Sequence, residues 1–168
     1  MPISDLSDKE LDQFEANYRR TKKTEGGKYS LSEILLERNR RKPSPFGVRE
    51  VAAKIIELAA ASKDGLVTYG ELWNAFSPNS PWEGHKNLRI VANSLYRVIY
   101  YCVTNRLPII TVLVVRANNR KLSDEAIANI YMECKELGVD VGLDPNAFVD
   151  NQIKLSRSVV VDGLPKEA

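Results

Sequence analysis

Three segments between residues 65 and 116 carry the strongest structural signals in the sequence: GLVTYGEL at 65–72, KNLRIVANSL at 86–95 and LPIITVLVVR at 107–116. In order, they predict a short strand followed by a helix, then a long helix, then a second strand. The β-branched run from Ile109 to Val115 is typical of a strand that is buried on both faces. This order of elements suits a winged helix, which is a helix-turn-helix variant with a β wing.

The long helix, at about residues 87–106, has the clearest periodicity. Apolar residues recur on it every three or four positions and predict one buried stripe: Leu88, Val91, Leu95, Val98, Ile99 and Cys102. The opposite face carries Arg89, Asn93 and Arg97. Because arginine binds guanine bidentately and asparagine binds adenine, this face is a candidate for contacting a DNA groove. The alternative is an ordinary solvated helix face.

The same segments resemble the DNA-binding half of the alkylguanine-DNA alkyltransferases and the alkyltransferase-like proteins. The positions that match the pattern of that family are Gly65, Val67, Tyr69, Leu72, Lys86, Arg89, Val91, Ser94, Leu95 and Pro108. In that family the tyrosine presses on a backbone phosphate, and the arginine enters the base stack. The matching residues here are Tyr69 and Arg89, so the resemblance implies that both contact DNA.

The segment after the long helix departs from that family. The family places its nucleophile there in a Pro-Cys-His-Arg run, whereas residues 111–115 read TVLVV and contain neither cysteine nor histidine. Alkyl transfer needs a thiolate that a neighbouring base activates. The loop at 77–87 and the long helix are also longer than in the family pattern. The resemblance therefore implies the fold and DNA binding, but neither alkyl transfer nor base flipping.

Charge is distributed unevenly along the chain, although its net value is only +2. Residues 46–121 hold ten basic and five acidic side chains, whereas residues 122–168 hold four basic and nine acidic ones. A basic middle is the electrostatic footprint expected for phosphate contact. Within it, the turn after the second predicted strand carries Arg116, Arg120 and Lys121. A wing tip would lie there, so these cations are predicted to contact the DNA backbone or the minor groove.

The first 45 residues predict a pair of helices. Ser7 with Glu10, and Ser30 with Glu33, have the spacing of capping boxes. We expect this pair to pack on the main domain or on a second subunit. The basic run at 38–42 either binds phosphates or an acidic partner, or simply places cations at a helix C-terminus. The prolines at 43 and 45 predict a short stiff linker.

Composition and motifs exclude several classes of protein. No run of eighteen apolar residues occurs, which argues against a membrane span, and the N-terminus lacks the features of a secretory signal. Cys102 and Cys134 lie on apolar helix faces and predict reduced thiols in the cytoplasm. We expect no metal and no cofactor, because His85 is the only histidine and no Cys-x-x-Cys occurs. No phosphate-binding loop, nucleophile elbow or carboxylate pair indicates an enzyme.

The sequence therefore predicts a mostly helical α+β fold in three parts: an N-terminal helical extension at 1–45, a winged-helix-like core at 46–121, and a C-terminal helix with an acidic tail at 122–168. The leading functional prediction is a non-enzymatic protein that binds duplex DNA. Its candidate contacts are Tyr69, Lys86, Arg89, Asn93, Arg97, Arg116, Arg120 and Lys121.

The alternative is a protein-binding module on the same fold, such as an inhibitor, an adaptor or an immunity protein. Its partner, or a second copy of the chain, would bind the N-terminal helices or the loop that contains Trp82. In that loop Trp82 either anchors an interface or folds back over the core.

Overall fold

The computed structural model describes residues 1–42 and 46–166, and within them the chain is mostly helical with one small sheet. The predicted linker at 43–45 lies outside the described residues. The helices are α1 (Asp8–Thr21), α2 (Leu31–Arg41), α3 (Val48–Ala61), α4 (Tyr69–Phe76), α5 (His85–Thr104), α6 (Asp124–Glu136) and α7 (Pro145–Ser156). The strands are β1 (Val67–Thr68) and β2 (Val114–Val115), and short 3₁₀ helices span Ile3–Asp5, Ile110–Leu113 and Val161–Gly163.

Helices α1 and α2 begin at the two predicted capping boxes, which are confirmed. In each, the serine side chain accepts a hydrogen bond from the backbone N–H of the glutamate, at 3.1 Å for Ser7 and 3.2 Å for Ser30. Each glutamate accepts a bond from the backbone N–H of its serine at 2.6 Å. Helices α1 and α2 then pack against each other and bury Leu11 and Ile34 completely. The N-terminal pair is therefore part of the folded body, and α2 contacts α5 directly.

The core forms around α5, and its buried stripe packs mainly on α3, α4 and the 3₁₀ helix at Ile110–Leu113. The stripe predicted from the sequence is confirmed for Val91, Leu95, Val98, Ile99 and Cys102, all of which are buried. Helix α5 begins two residues before the predicted start and ends two before the predicted end. The apolar residues of α3 and α4, including Ile55 and Leu72, complete this core.

The second predicted strand is wrong over most of its length. Every residue from Ile109 to Val115 is buried, but Ile110–Leu113 forms a 3₁₀ helix, and only Val114 and Val115 are extended. A continuous run of β-branched residues signals burial, and burial does not distinguish a strand from another enclosed conformation. This run packs against α7. Its 3₁₀ conformation therefore comes from tertiary contacts rather than from local propensity.

Strands β1 and β2 pair in parallel, with Val67 opposite Val114 and Thr68 opposite Val115. A wing is an antiparallel hairpin, and in the described chain no strand returns after β2. Residues 116–121 instead form a compact turn, which is closed by the bonds Arg116 N–H to Lys121 O (3.3 Å) and Arg120 N–H to Arg116 O (2.9 Å). The mostly helical α+β class is therefore correct, while the expected β wing is replaced by a turn.

The C-terminal part is folded through residue 166. Two helices, α6 and α7, follow the turn, and Ser123 caps α6 as its position suggests. Leu164 is buried, and its carbonyl accepts a bond from Arg49 Nε of α3 at 3.1 Å. The hydroxyl of Tyr101 donates to the carbonyl of Pro165. The acidic end of the chain is thus attached to the core in the described residues and does not extend from it as a free tail.

Candidate nucleic-acid interface

The N-terminal half of α5 presents polar side chains to solvent. Lys86, Arg89 and Asn93 are exposed, and Lys86 Nζ lies 3.8 Å from Glu83 of the preceding loop. Neither Arg89 nor Asn93 forms an ion pair or a side-chain hydrogen bond with any part of the chain that the structure describes. The two residues are one helical turn apart, so their side chains lie on the same face about 6 Å from each other.

Arg97, the next residue on that predicted face, does not join them. Its guanidinium donates to the carbonyl of Asn39 at 3.3 Å and to the carbonyl of Lys42. Both carbonyls belong to the C-terminal end of α2, where that of Asn39 also accepts a bond from the backbone N–H of Lys42 at 3.1 Å. Arg97 therefore caps α2 and connects the N-terminal pair to the core. The guanidinium that was expected to contact DNA is thus engaged within the protein.

Arg120 is also occupied within the protein. Its Nε lies 2.5 Å from Asp64 Oδ2 and its Nη2 lies 2.8 Å from Oδ1, and Nη2 also donates to the carbonyl of Leu66 at 3.1 Å. Hydrogen bonds from Arg120 and Ser62 hold the pKa of Asp64 well below its usual range. The guanidinium that was expected to contact phosphate is thus paired with a carboxylate of the protein itself. The residue joins the turn at 116–121 to the loop before β1.

Tyr69 and Arg116 lie close to each other on the same side of the molecule. Tyr69 is the first residue of α4, and the capping box of Thr68 and Glu71 fixes the helix start there. Burial raises the pKa of the Tyr69 hydroxyl, and the positive charge of Arg116 opposes that increase. Arg116 and Lys121 are both exposed at the ends of the turn. Neither side chain has a bonding partner within residues 1–42 and 46–166.

Carboxylates border the C-terminal half of α5. Tyr100 donates to Glu133 Oε2 of α6 at 3.2 Å, and burial is the main reason why the pKa of Tyr100 is raised. After burial, the charges of Glu133 and Glu125 raise the pKa of Tyr96. Phosphates would be repelled from this side of α5. Acidic side chains thus flank the C-terminal half of α5, whereas Arg89, Arg116 and Lys121 have no ion-pair partner in the described residues.

The basic run at the end of α2 is largely neutralised by nearby acids. Arg38 Nη2 lies 2.8 Å from Asp12, and Arg38 also bonds to Glu15. Arg40 and Arg41 both contact Glu37, at 2.7 Å each. These pairs connect α2 to α1 and stabilise the end of α2. Of the two interpretations of the run, the structural one accounts for its three arginines.

The two tryptophans near the α4–α5 loop differ in their environment. Trp73 is buried, and its Nε1 donates to the carbonyl of Ser80 at 2.8 Å. Trp82 lies over Gly70 but remains 37% exposed. One edge of the Trp82 indole therefore lies against α4 while the rest faces solvent, and its role as an interface anchor stays a prediction.

Sequence reasoning missed several residues around Tyr69. Tyr96, Thr111 and Asn129 line a cavity together with Tyr69, although they come from α5, the 3₁₀ helix and α6. No motif connects these positions, because their separation along the chain is set only by the fold. The nearest signal in the sequence is the apolar periodicity of α6, which buries Ile130.

Comparison of the chain with protein-family models, with curated proteins and with solved structures found no match. Among residues 1–42 and 46–166, no group of three or more His, Cys, Asp or Glu side chains is placed to hold a metal ion. No helix in the described ranges is both long enough and apolar enough to cross a membrane.

Proposed function

We propose that this protein binds duplex DNA without catalysing a reaction, and that α4 and α5 act as a helix-turn-helix. The N-terminal half of α5 would enter the major groove. One observation carries the proposal: Arg89 and Asn93 are exposed on one face without an internal partner, while Arg97 on the same helix is bound to α2. A guanidinium and an amide that lie one turn apart have the donors and acceptors that distinguish guanine and adenine.

Phosphate contacts are assigned to Lys86, Arg116 and Lys121. All three are exposed cations, and Lys86 lies in the first turn of α5. The turn at 116–121 takes the place of a wing in this proposal, with Arg116 and Lys121 facing the backbone. Tyr69 is assigned to the same surface through its proximity to Arg116. Arg97 and Arg120 have no part in it.

The number of available cations limits the expected affinity. Each phosphate that a lysine or arginine neutralises contributes about 0.9 to the slope of log affinity against log salt. Three contacts would give a slope near −3, which is modest for a DNA-binding protein. The carboxylates of α6 beside Tyr96 disfavour phosphate contacts beyond this surface.

The test is fluorescence anisotropy of a labelled mixed-sequence duplex, measured over a range of salt concentrations. The variant is Arg89→Ala/Arg116→Ala, and the matched control is Lys135→Ala/Lys154→Ala, which removes two exposed cations from α6 and α7. We expect the variant to bind more weakly and with a smaller slope, by about 0.9 for each lost phosphate contact. The control should keep nearly all of the wild-type affinity.

Two results would contradict the proposal. One is a wild-type protein that does not bind the duplex even at low salt. The other is an equal loss of affinity in the variant and in the control, because binding would then depend on net charge rather than on the α5 surface. In both cases a native circular dichroism spectrum is the control that excludes loss of folding as the cause.

A second candidate function is protein binding through the α4–α5 loop, which the exposed part of Trp82 favours. Large aromatic side chains at the surface are enriched at protein interfaces. Sedimentation of the wild type and of Trp82→Ala over a range of concentrations tests one form of this candidate, which is self-association. Association that is lost in Trp82→Ala would support it, and a monomer at every concentration would exclude the homodimer.

A further inference from the structure

The loop between α6 and α7 exposes one leucine completely. The side chain of Leu143 is 99% exposed, and the next most exposed large apolar residue that the structure describes is Met1, with 68%. The apolar surface of a leucine contributes favourable free energy only where another surface covers it. Leu143 contributes none within a single copy of the chain, so its position suits a contact with a second molecule.

The backbone that carries Leu143 is held in place. The hydroxyl of Tyr131 donates to the carbonyl of Gly142 at 2.6 Å, and the N–H of Gly142 donates to Asp140 Oδ1 at 3.3 Å. Gly142 has a φ of +69°, a left-handed conformation that glycine adopts without strain. We call residues 140–144 the Leu143 loop. Because the loop is already ordered, a contact through Leu143 loses little conformational entropy.

A half-open cleft of about 130 Å³ lies between α5 and α6, next to the start of α4. Its walls are mainly aliphatic and include Ala92, Leu95 and Ile99 from α5 and Ala126 and Ile130 from α6. An apolar cavity of about 150 Å³ accommodates benzene, so this α5–α6 cleft has room for one branched aliphatic side chain. A leucine from another molecule is of the right size and polarity to fill it.

The rim of the α5–α6 cleft is basic at the end that Tyr69 and Leu122 form. Arg116 lies close to Tyr69, and Lys121 directly precedes Leu122 in the chain. Both cations are exposed, and neither has an ion-pair partner in the described ranges. A segment that inserts an apolar side chain here is therefore favoured if carboxylates lie beside that side chain.

The Leu143 loop has this chemistry. Asp140 and Asp144 flank Leu143, and neither carboxylate forms an ion pair within residues 1–42 and 46–166. Each uses one oxygen to accept a backbone N–H, at 3.3 Å for Asp140 and 3.0 Å for Asp144. The second oxygen of each carboxylate can therefore bind a cation of another molecule.

The opposite end of the rim is acidic and fixes the orientation of such a contact. Glu125 and Glu133 lie near Tyr96, which lines the cleft. They repel carboxylates, so the Leu143 loop enters favourably only with its two aspartates towards Arg116 and Lys121. One chain thus carries both an apolar anchor and a cleft of matching size, with complementary charges beside them.

We propose that Leu143 of one copy of this protein inserts into the α5–α6 cleft of a second copy, with Asp140 and Asp144 facing the turn at 116–121 of that copy. Because the loop and the cleft are different surfaces, the copies join head to tail. An occupied cleft covers Tyr69, so such a copy does not offer Tyr69 to duplex DNA at the same time. The contact itself needs no DNA, and it is tested without DNA.

The test mixes two variants, each of which keeps only one half of the contact. Leu143→Asp removes the anchor and keeps the cleft, whereas Ala126→Leu fills the cleft from α6 and keeps the anchor. Isotope-labelled Leu143→Asp is titrated with unlabelled Ala126→Leu, and its backbone amides are followed by NMR. We expect saturable shifts at the cleft residues of the labelled chain. Reversed labelling should place the shifts in residues 140–144.

Two further titrants of the labelled Leu143→Asp chain provide the comparison. The double variant Leu143→Asp/Ala126→Leu has no anchor, so it should bind at least about tenfold more weakly than Ala126→Leu, because the burial of a leucine is lost. The matched control is Leu155→Asp/Ala126→Leu, which loses a different exposed leucine, on α7. It should bind as tightly as Ala126→Leu.

Three results would overturn the proposal. The first is the absence of saturable shifts in the cleft. The second is equal binding by Ala126→Leu and by the double variant that lacks Leu143. The third is a set of shifts around Trp82 instead of the cleft, because Trp82 does not line the cleft and would then mark a different self-association surface. Ala92→Leu fills the cleft from α5 and replaces Ala126→Leu if that variant does not fold.

Discussion

The two halves of α5 carry the same kind of amphipathic pattern, but they have different surroundings. In the first half, Arg89 and Asn93 face solvent. In the second half, Arg97 bonds to the end of α2 and Tyr100 bonds to Glu133 of α6. A polar residue on the outer face of a helix is therefore free only if no neighbouring element covers that face. The periodicity of a sequence identifies the face, but it does not show how much of it remains open.

The largest difference between the two halves should appear when a matched pair of isoleucines is truncated. Ile99, in the covered half, is 3% exposed, whereas Ile90, in the open half, is only partly buried. We expect Ile99→Ala to lower the free energy of unfolding by about 2–5 kcal/mol through lost burial and a new cavity. Ile90→Ala should lower the free energy of unfolding by clearly less. Urea unfolding of both variants measures the difference, and equal losses would show that the two halves are packed alike.

A second, smaller difference should separate the two arginines of the outer face. Arg97→Met keeps much of the side-chain volume but removes the bonds to Asn39 and Lys42, so it should cost about 1–3 kcal/mol of unfolding free energy. Arg89→Met should stay within about 0.5 kcal/mol of the wild type, because Arg89 has no partner to lose. Both values come from the same unfolding assay. A cost at Arg89 as large as that at Arg97 would contradict the assignment of Arg97 as the structural residue.

The smallest effect concerns the pH dependence of the covered half. Burial is the main cause that raises the pKa of Glu133 above its ordinary value of 4.5, and the hydrogen bond from Tyr100 opposes it. The folded state thus binds this proton more tightly than the unfolded state does. The contribution of Glu133 to stability is therefore fully present below pH 4.5 and is lost as the pH rises through the folded-state pKa.

Glu133→Gln tests this sign, because glutamine mimics the protonated acid and still accepts the bond from Tyr100. We expect the variant to be somewhat more stable than the wild type at neutral pH, and the two to converge as the pH approaches 4.5. The lowered pKa values of Glu37 and Asp64 make stability fall, rather than rise, as the pH is lowered, and they do so at lower pH. They therefore do not obscure the change expected between neutral pH and pH 4.5. A variant that is less stable at neutral pH would show that the charge of Glu133 is stabilising.

Local signals in the sequence predicted the helices well. The capping boxes at Ser7 and Ser30 correctly marked the starts of α1 and α2, because both partners of each bond lie within four consecutive residues. The buried stripe of α5 was also correct except at Leu88, which is only partly buried, since the stripe follows from helical geometry. Such features need no knowledge of the rest of the fold.

Features that depend on distant segments were not predicted. Arg97 was assigned to DNA because it shares a helix face with Arg89 and Asn93, and Arg120 because it lies in the turn where a wing tip was expected. In the structure Arg97 reaches carbonyls of α2, and Arg120 reaches Asp64. The 3₁₀ helix at Ile110–Leu113 was mistaken for a strand, because a fully apolar run has no periodicity that separates the two. The cleft between α5 and α6 combines residues from four separate elements and has no signature in the sequence.

Strands β1 and β2 lie side by side, although all of α4 and α5 separates them along the chain. Closing so long a loop lowers the entropy of the chain. The hydrogen bonds of a two-residue ladder offset little of that cost. The strands therefore pair stably only after α5 has packed against α3 and brought the two segments together. We expect the amide hydrogens between β1 and β2 to become protected from exchange late in folding, which makes them reporters of the final assembly of the core.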